Sequence, residues 1–350
     1  MEWFADFARV YFGGIVSGFD VSSVFCEFYI GSTFIQIRWY GIIIAFGYIL
    51  AVLFGGRIAY KWRMNLSKMV DVLIYGSLGG IIGARAYYVA FRWDYYSENI
   101  GSIFEIWNGG LAIYGGIIGG IIAAFITCKV EKLNFYNLLD LVGMSLLIGQ
   151  GIGRWGNYAN QEAFGIFTNG NYGMMSDKVK EYISIHPEKY GLEGVPDTGA
   201  FIDANNLYVH PTFFYEFAWC MVGFGLLYLI LKKFRKFSGQ LFLCYGIWYG
   251  TGRAIFEGLR TDSLYIGNTD IRVSQALSVV VVVVCAVILA VKLIKLHKNP
   301  QPIEGVDYFP ADAGKLLSEI RAEKEAKEQA EKQSRKVKIP KPKNEDDKNG

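Results

Sequence analysis

The amino-acid sequence predicts an all-α polytopic membrane protein with about seven transmembrane helices, a small external cap and a charged, largely disordered cytoplasmic tail. Three observations carry this class. The 350 residues are 52% hydrophobic and mean hydropathy is +0.25 despite a polar C-terminal end. The apolar residues gather in runs close to the roughly 20 residues that a hydrocarbon core requires. Every second loop between those runs is basic.

The runs cover about 38–58, 70–91, 110–128, 137–155, 210–231, 239–257 and 274–296. The fourth and sixth run into polar residues. Residues 1–37 read as an aromatic, interfacial segment on the external side. Glu2 and Asp6 precede the first basic residue, Arg9, so no cleaved signal peptide is expected. Arg57, Lys61, Arg63 and Lys68 separate the first two runs, and Lys232, Lys233, Arg235 and Lys236 separate the fifth and sixth. Lys129 and Lys132 follow the third run, and Lys292, Lys295 and Lys298 the seventh. The positive-inside rule puts all of these in the cytoplasm. An odd number of spans then leaves the N-terminus external and the C-terminus cytoplasmic. Residues 160–209, rich in Gly, Asn, Asp and Tyr, form the expected cap. Residues 297–350, with Pro300, Pro302 and Pro310 ahead of a Lys/Glu/Ala-rich stretch, form the tail. The five cysteines have no C-x-x-C spacing and suit packing. Net charge is +3, and no metal, cofactor or nucleic-acid partner is expected.

The chemistry lies where charge enters the apolar runs. GIGRWGNYANQE, Gly151 to Glu162, sets Arg154, Asn157, Asn160 and Glu162 at the end of the fourth run. An arginine at the centre of a span disfavours insertion by about 2.5–3.5 kcal/mol, so such an ion implies a partner or a function. The second run contains Arg85. The sixth carries Arg253, Glu257 and Arg260, four and three residues apart and therefore on one helical face. Taken alone, Arg253 and Glu257 are equally explained as an internal salt bridge. The fifth run opens with HPTFFYE, His210 to Glu216, where His210 alone reads as an interfacial residue and Pro211 suits a helix start. Tyr40 in RWYG fits an aromatic belt. Glycines 109, 110, 115, 116, 119 and 120 fit close helix packing, which leaves Tyr114 between them unexplained. Together, Arg85, Arg154, Arg253 and Arg260 with Glu162 and Glu257 are too many ions to tolerate without a polar cavity. A cavity that all six face is net positive. The ligand such guanidiniums suit at a membrane is a phosphate, held bidentately, and a phospholipid headgroup supplies one.

These residues resemble the bacterial prolipoprotein diacylglyceryl transferase family over roughly residues 36–296. The most specific piece is GRWGNYANQEAFG, Gly153 to Gly165, with Tyr158 where the family pattern has Phe. RWYG, the double-glycine segment, HPTFFYE and GTGRAIFEGLR follow the family's order. The resemblance implies transfer of a diacylglyceryl group from phosphatidylglycerol to the lipobox cysteine thiol of a preprolipoprotein, with release of glycerol 1-phosphate. It implies a bacterial plasma-membrane location and recognition of the preprolipoprotein signal-peptide region, with no cofactor. By the family pattern Arg154, Asn157, Glu162 and Gly165 belong to the lipid and catalytic site, and Arg253 with Glu257 to a second wall. Arg154 and Arg253 are expected to bind the phosphodiester, and Asn157 and Glu162 to position the glycerol or orient the arginines. Tyr40, Asn160, Arg85, Arg260 and His210 complete the expected lipid-binding set. Tyr114 stands where the family commonly has His, the natural base for the thiol. Tyrosine ionises near about 10, so the base is Tyr114 beside an arginine, or Glu162, Glu257 or His210. A transporter of an anionic solute would also use a basic intramembrane cavity, but no internal repeat supports it. A scaffold protein would leave the charge cluster unexplained.

Overall fold

The computed structural model describes residues 7–12, 16–30, 33–168, 173–261, 265, 269, 272–298 and 329. The expected tail from 299 onward therefore lies outside the described residues, Gln329 apart, as do residues 1–6. Four strands come first: β1 (Phe7–Phe12), β2 (Val16–Ser22), β3 (Val24–Ile30) and β4 (Thr33–Arg38). Helices α1 (Trp39–Lys61), α2 (Leu66–Phe91), α3 (Trp93–Glu98), α4 (Ile113–Val130) and α5 (Phe135–Asn160) follow. A cap holds β5 (Phe167–Thr168), β6 (Met174–Ser176), α6 (Asp177–Ile185), α7 (Thr198–Ala204) and β7 (Tyr208–Val209). The chain then forms α8 (Thr212–Lys233), α9 (Gln240–Glu257) and α10 (Val273–Lys298).

Seven long helices thus match the seven apolar runs. Six described helices are long and apolar enough to cross a membrane, and α9 is the exception. Its 18 residues include Arg253 and Glu257, and it packs on α5, α8 and α10. That shielding lets a polar helix stand inside an apolar bundle.

Two helix hairpins use the same turn. Arg63 and Lys132 adopt φ of 55° and 56°, each two residues ahead of an asparagine N-cap. Asn65 accepts the Lys68 N–H at 3.3 Å. Asn134 accepts those of Tyr136 and Asn137 at 2.9 and 3.2 Å. Each cap satisfies donors that a helix start leaves unpaired. Lys68 joins the hairpins by bonding the Glu131 carbonyl at 2.7 Å and its carboxylate at 3.3 Å.

The glycines of α2 and α4 form a contact in which the backbones nearly touch. A Cβ at Gly83 would overlap the Gly115 carbonyl, and one at Gly119 the Gly79 carbonyl. Such small-residue faces allow tight packing without an apolar driving force. Helices α1, α5, α8 and α9 enclose a second core of Ile58, Trp62, Met144, Leu147, Leu227 and Leu241.

At the basic end of that core, Asp140 is 0% and Arg235 2% exposed. Arg235 donates to Asp140 from Nε at 3.0 Å and Nη2 at 2.7 Å, and lies over the Trp62 ring. Backbone N–H groups of Gly239 and Phe242 complete the carboxylate's bonding at 2.9 and 3.0 Å. Arg235, one of the basic residues between the fifth and sixth runs, is therefore a buried ion stapling the α8–α9 turn to α5.

The N-terminal segment differs from a purely helical expectation. β1 pairs antiparallel with β2 and with β6, in a five-stranded sheet ordered β2-β1-β6-β7-β5. β3 and β4 form a separate hairpin leading into α1. The chain start and the cap thus share one sheet. The cap has its own core of Met174, Met175, Val179, Ile183, Ile202 and Val209.

Candidate active site

Three separated motifs converge at Gly165. Its N–H donates to the His210 carbonyl, the Ile166 N–H donates to the Leu259 carbonyl, and His210 N–H returns to the Ile166 carbonyl, each at 3.0 Å. Gly165 also forms a bridge with Arg260. A Cβ at Gly165 would lie 2.9 Å from His210 Cβ and 3.0 Å from the Leu259 carbonyl. Only glycine fits between those two chains. Thr212, fully buried, adds a bond from its hydroxyl to the Ala163 carbonyl. The end of α5, the start of α8 and the end of α9 are thereby fixed on one another.

α8 and α9 are held in register by a reciprocal pair. Trp219 Nε1 donates to the Trp248 carbonyl at 3.0 Å, and Trp248 Nε1 to the Trp219 carbonyl at 2.9 Å. Their rings stack at 4.2 Å. Each indole lies over a glycine of the other helix, Trp219 on Gly252 and Trp248 on Gly223. This arrangement puts Glu216, one turn ahead of Trp219, opposite Arg253, the neighbour of Gly252.

Glu216 is the residue that sequence reasoning missed as a site member. It is 5% exposed and gathers three arginines. Arg154 Nη2 lies 2.5 Å from its Oε2, Arg253 Nη1 3.7 Å from the same oxygen, and Arg260 Nη1 3.9 Å from Oε1. Arg253 Nη2 bonds Glu257 at 2.7 Å across one helical turn. The signal was there to read: Glu216 is the sole acid in an apolar run, which by itself demands a partner.

Three guanidiniums face the two buried carboxylates of Glu216 and Glu257, and with Glu162 at the edge the set is formally neutral, not net positive as expected from sequence. Arg253 Nη1 is buried and makes no hydrogen bond among the described residues, although it stays within ion-pair range of Glu216. Arg154 Nη1 donates to Asn157 Oδ1 at 3.4 Å, and Asn157 Nδ2 to Glu162 at 2.9 Å. Asn160 Nδ2 reaches the same Glu162 oxygen at 3.5 Å. The exposed Glu162 thus connects to Arg154 through Asn157. Tyr40 packs its ring on Gly156, within one turn of Arg154.

One expected member is engaged elsewhere. Arg85 does not face this cluster. Its guanidinium donates to the carbonyls of Ile103, Gly109, Gly110, Ser102 and Glu105 at 2.8, 2.8, 2.9, 2.5 and 3.4 Å, and it lies over Tyr96. Every donor nitrogen is engaged by the α3–α4 connection. Gly109 and Gly110, at φ of 86° and 75°, turn their carbonyls toward it in a conformation that side chains resist. The expected six-residue cavity therefore loses Arg85 and gains Glu216. Tyr114, on the first turn of α4, is 44% exposed and makes no hydrogen bond or ring contact among the described residues.

His210 Nδ1 lies 3.2 Å from the Tyr215 hydroxyl. Partial burial holds its imidazole below the ordinary histidine range, so it is neutral at pH 7.

The chain is also similar to known proteins. A family model for prolipoprotein diacylglyceryl transferase matches residues 27–291. Among curated relatives, the phosphatidylglycerol–prolipoprotein diacylglyceryl transferase of Listeria welshimeri is 41% identical over 264 residues, covering 75% of this chain and 88% of the relative. The protein of the same name from Staphylococcus aureus is 41% identical over 276 residues, 79% and 91% of the two chains. That from Lysinibacillus sphaericus is 42% identical over 253 residues, 71% and 86%. With the converging motifs and the match over most of its length, this multi-pass membrane chain belongs to the prolipoprotein diacylglyceryl transferase family.

Proposed function

We propose that the chain transfers the diacylglyceryl group of phosphatidylglycerol to the cysteine thiol of a preprolipoprotein in the bacterial plasma membrane, forming a thioether and releasing glycerol 1-phosphate. The observation that carries the reading is the Glu216 cluster, where Arg154, Arg253 and Arg260 meet and a buried Arg253 nitrogen has no hydrogen bond among the described residues. Sulfur attacks the glycerol carbon, the carbon–oxygen bond to phosphorus breaks, and the electron pair leaves on phosphate. Phosphate charge goes from about −1 in the diester to about −2 in the monoester at neutral pH. Cations already held in place favour that developing charge without reorganising.

Arg154 and Arg253 hold the phosphodiester, with Arg260 beside them. Asn157 carries Glu162 to the edge of the cluster, and Glu162 accepts the thiol proton there. The thiol titrates near about 8.5 in water, and the neighbouring guanidiniums stabilise its thiolate. Tyr114, exposed and without a hydrogen bond among the described residues, is not assigned the thiol step. Tyr40, Asn160, Gly165 and His210 shape the lipid site, and Glu257 orients Arg253. The cap end is external and the basic end cytoplasmic, an orientation supported by Arg57, Lys61, Lys129, Lys132, Lys232 and Lys233.

Reconstitution with phosphatidylglycerol and a lipobox peptide tests this. The expected result is a diacylglyceryl thioether and glycerol phosphate from the wild type. Arg154→Ala and Arg253→Ala should each lower turnover by at least about 10²–10³-fold, the cost of losing one developing-charge contact. Full activity of either correctly inserted variant would end the assignment.

A further inference from the structure

We propose that a cleft between α6 and the turn after α5 binds an extended stretch of the acceptor polypeptide, with the side-chain amide of Gln161 bonding one of its peptide groups. The inference rests on the transferase reading and adds the place where the protein substrate docks.

The cleft measures about 350 Å³, within the range of small-ligand sites. Ala163, Phe164, Tyr182 and Ile185 give it apolar walls, and Glu162, Lys178 and Glu181 line it with charge. Gln161 lines it too and is only 4% exposed. Neither its Nε2 nor its Oε1 has a hydrogen-bond partner among the described residues. A buried amide left unbonded is destabilising, and an occupant that reaches the amide relieves that cost. A primary amide offers donor and acceptor in one plane, the complement of a peptide N–H and C=O.

Charge argues against a lipid phosphate as occupant. Two carboxylates and one lysine make the lining net acidic. Position argues for the polypeptide. Glu162 lines the cleft and connects through Asn157 to Arg154, and Thr261, another lining residue, follows Arg260. A chain held here brings its cysteine beside the phosphate site. Gln161 is held firmly as the C-cap of α5, in the left-handed region at φ 54°, ψ 51°, with its N–H bonded to the Tyr158 carbonyl at 3.0 Å.

The test uses the full-length protein in phosphatidylglycerol-containing micelles, with glycerol phosphate release measured against lipobox peptide and then against lipid. Gln161→Leu removes both bonding atoms at similar volume and should raise KM for the peptide about tenfold, the equivalent of about 1.4 kcal/mol. KM for lipid should stay unchanged. Ile185→Trp, on a wall residue that is 64% exposed, fills the cleft and should act in the same direction, so the test survives a poorly folding Gln161→Leu. Unchanged peptide KM in Ile185→Trp, or a rise confined to lipid KM, overturns the proposal while leaving the transferase reading intact. If the wild type produces no glycerol phosphate, the transferase reading fails. Binding of a fluorescent lipobox peptide then decides the cleft separately: weaker binding to Ile185→Trp supports it, and equal binding overturns it.

Discussion

Glu216 shows how one residue can set the state of several others. Burying a carboxylate costs several kcal/mol unless opposite charge is close, and here Arg154, Arg253 and Arg260 all lie within 4 Å. Glu216→Ala leaves three cations without their common partner and should lower stability by about 3–5 kcal/mol. A thermal or denaturant midpoint in detergent measures it, and turnover should fall with it. Tyr114 is a different case, exposed and, among the described residues, without a polar partner. Tyr114→Phe should lower turnover by less than about tenfold, the scale of one lost hydrogen bond. A loss as large as that of Arg154→Ala would return the tyrosine to the thiol step. His210 has its folded pKa depressed by burial. The folded protein therefore binds fewer protons than the unfolded chain between that value and about 6.5. Stability should be complete above about pH 6.5 and decline as pH falls through that window. His210→Gln should flatten that part of a stability–pH curve.

Between elements, packing decides which charges meet. The Trp219–Trp248 pair fixes α8 against α9, and that registry brings Glu216 to Arg253. The α2–α4 glycine contact instead carries Arg85 and its carbonyl clasp. Gly83→Leu would push α2 off α4, because its Cβ alone already overlaps the Gly115 carbonyl. Overpacking of this kind costs about 1–3 kcal/mol, and a lowered thermal midpoint should report it. The i, i+4 spacing makes the Arg253–Glu257 pair legible from the sequence alone, since helical geometry brings those side chains together. The same local rule misleads for Arg85. Intramembrane depth says that an arginine needs partners but not which ones, and backbone carbonyls turned by Gly109 and Gly110 supply them as well as a substrate does.

Across the whole molecule, the two ends of the bundle do different work. One end holds the buried Asp140–Arg235 staple and the basic turns. The other holds the cap, the arginine cluster and the cleft. Glu193→Cys, at an exposed position in the cap, should react with a membrane-impermeant maleimide from outside intact cells. Lys129→Cys, exposed at the opposite end, should react only after lysis. The reverse pattern would invert the orientation. The N-terminal segment is harder to read because β1 finds its partner β6 more than 160 residues away. Short strands of mixed aromatic and polar residues carry no period strong enough to announce such pairing.

The sequence by itself determined the helical membrane class and the basic end of the bundle. Charge cost and helical spacing, which are local properties, marked Arg154, Glu162, Arg253 and Glu257 as candidates, and the family resemblance added Asn157. Only the tertiary structure decided that Glu216 is the common partner, that Arg85 is not part of the cluster, and that Gly165 joins three motifs. Those outcomes depend on which helix faces meet, and contacts between residues tens of positions apart are written in no single stretch of chain.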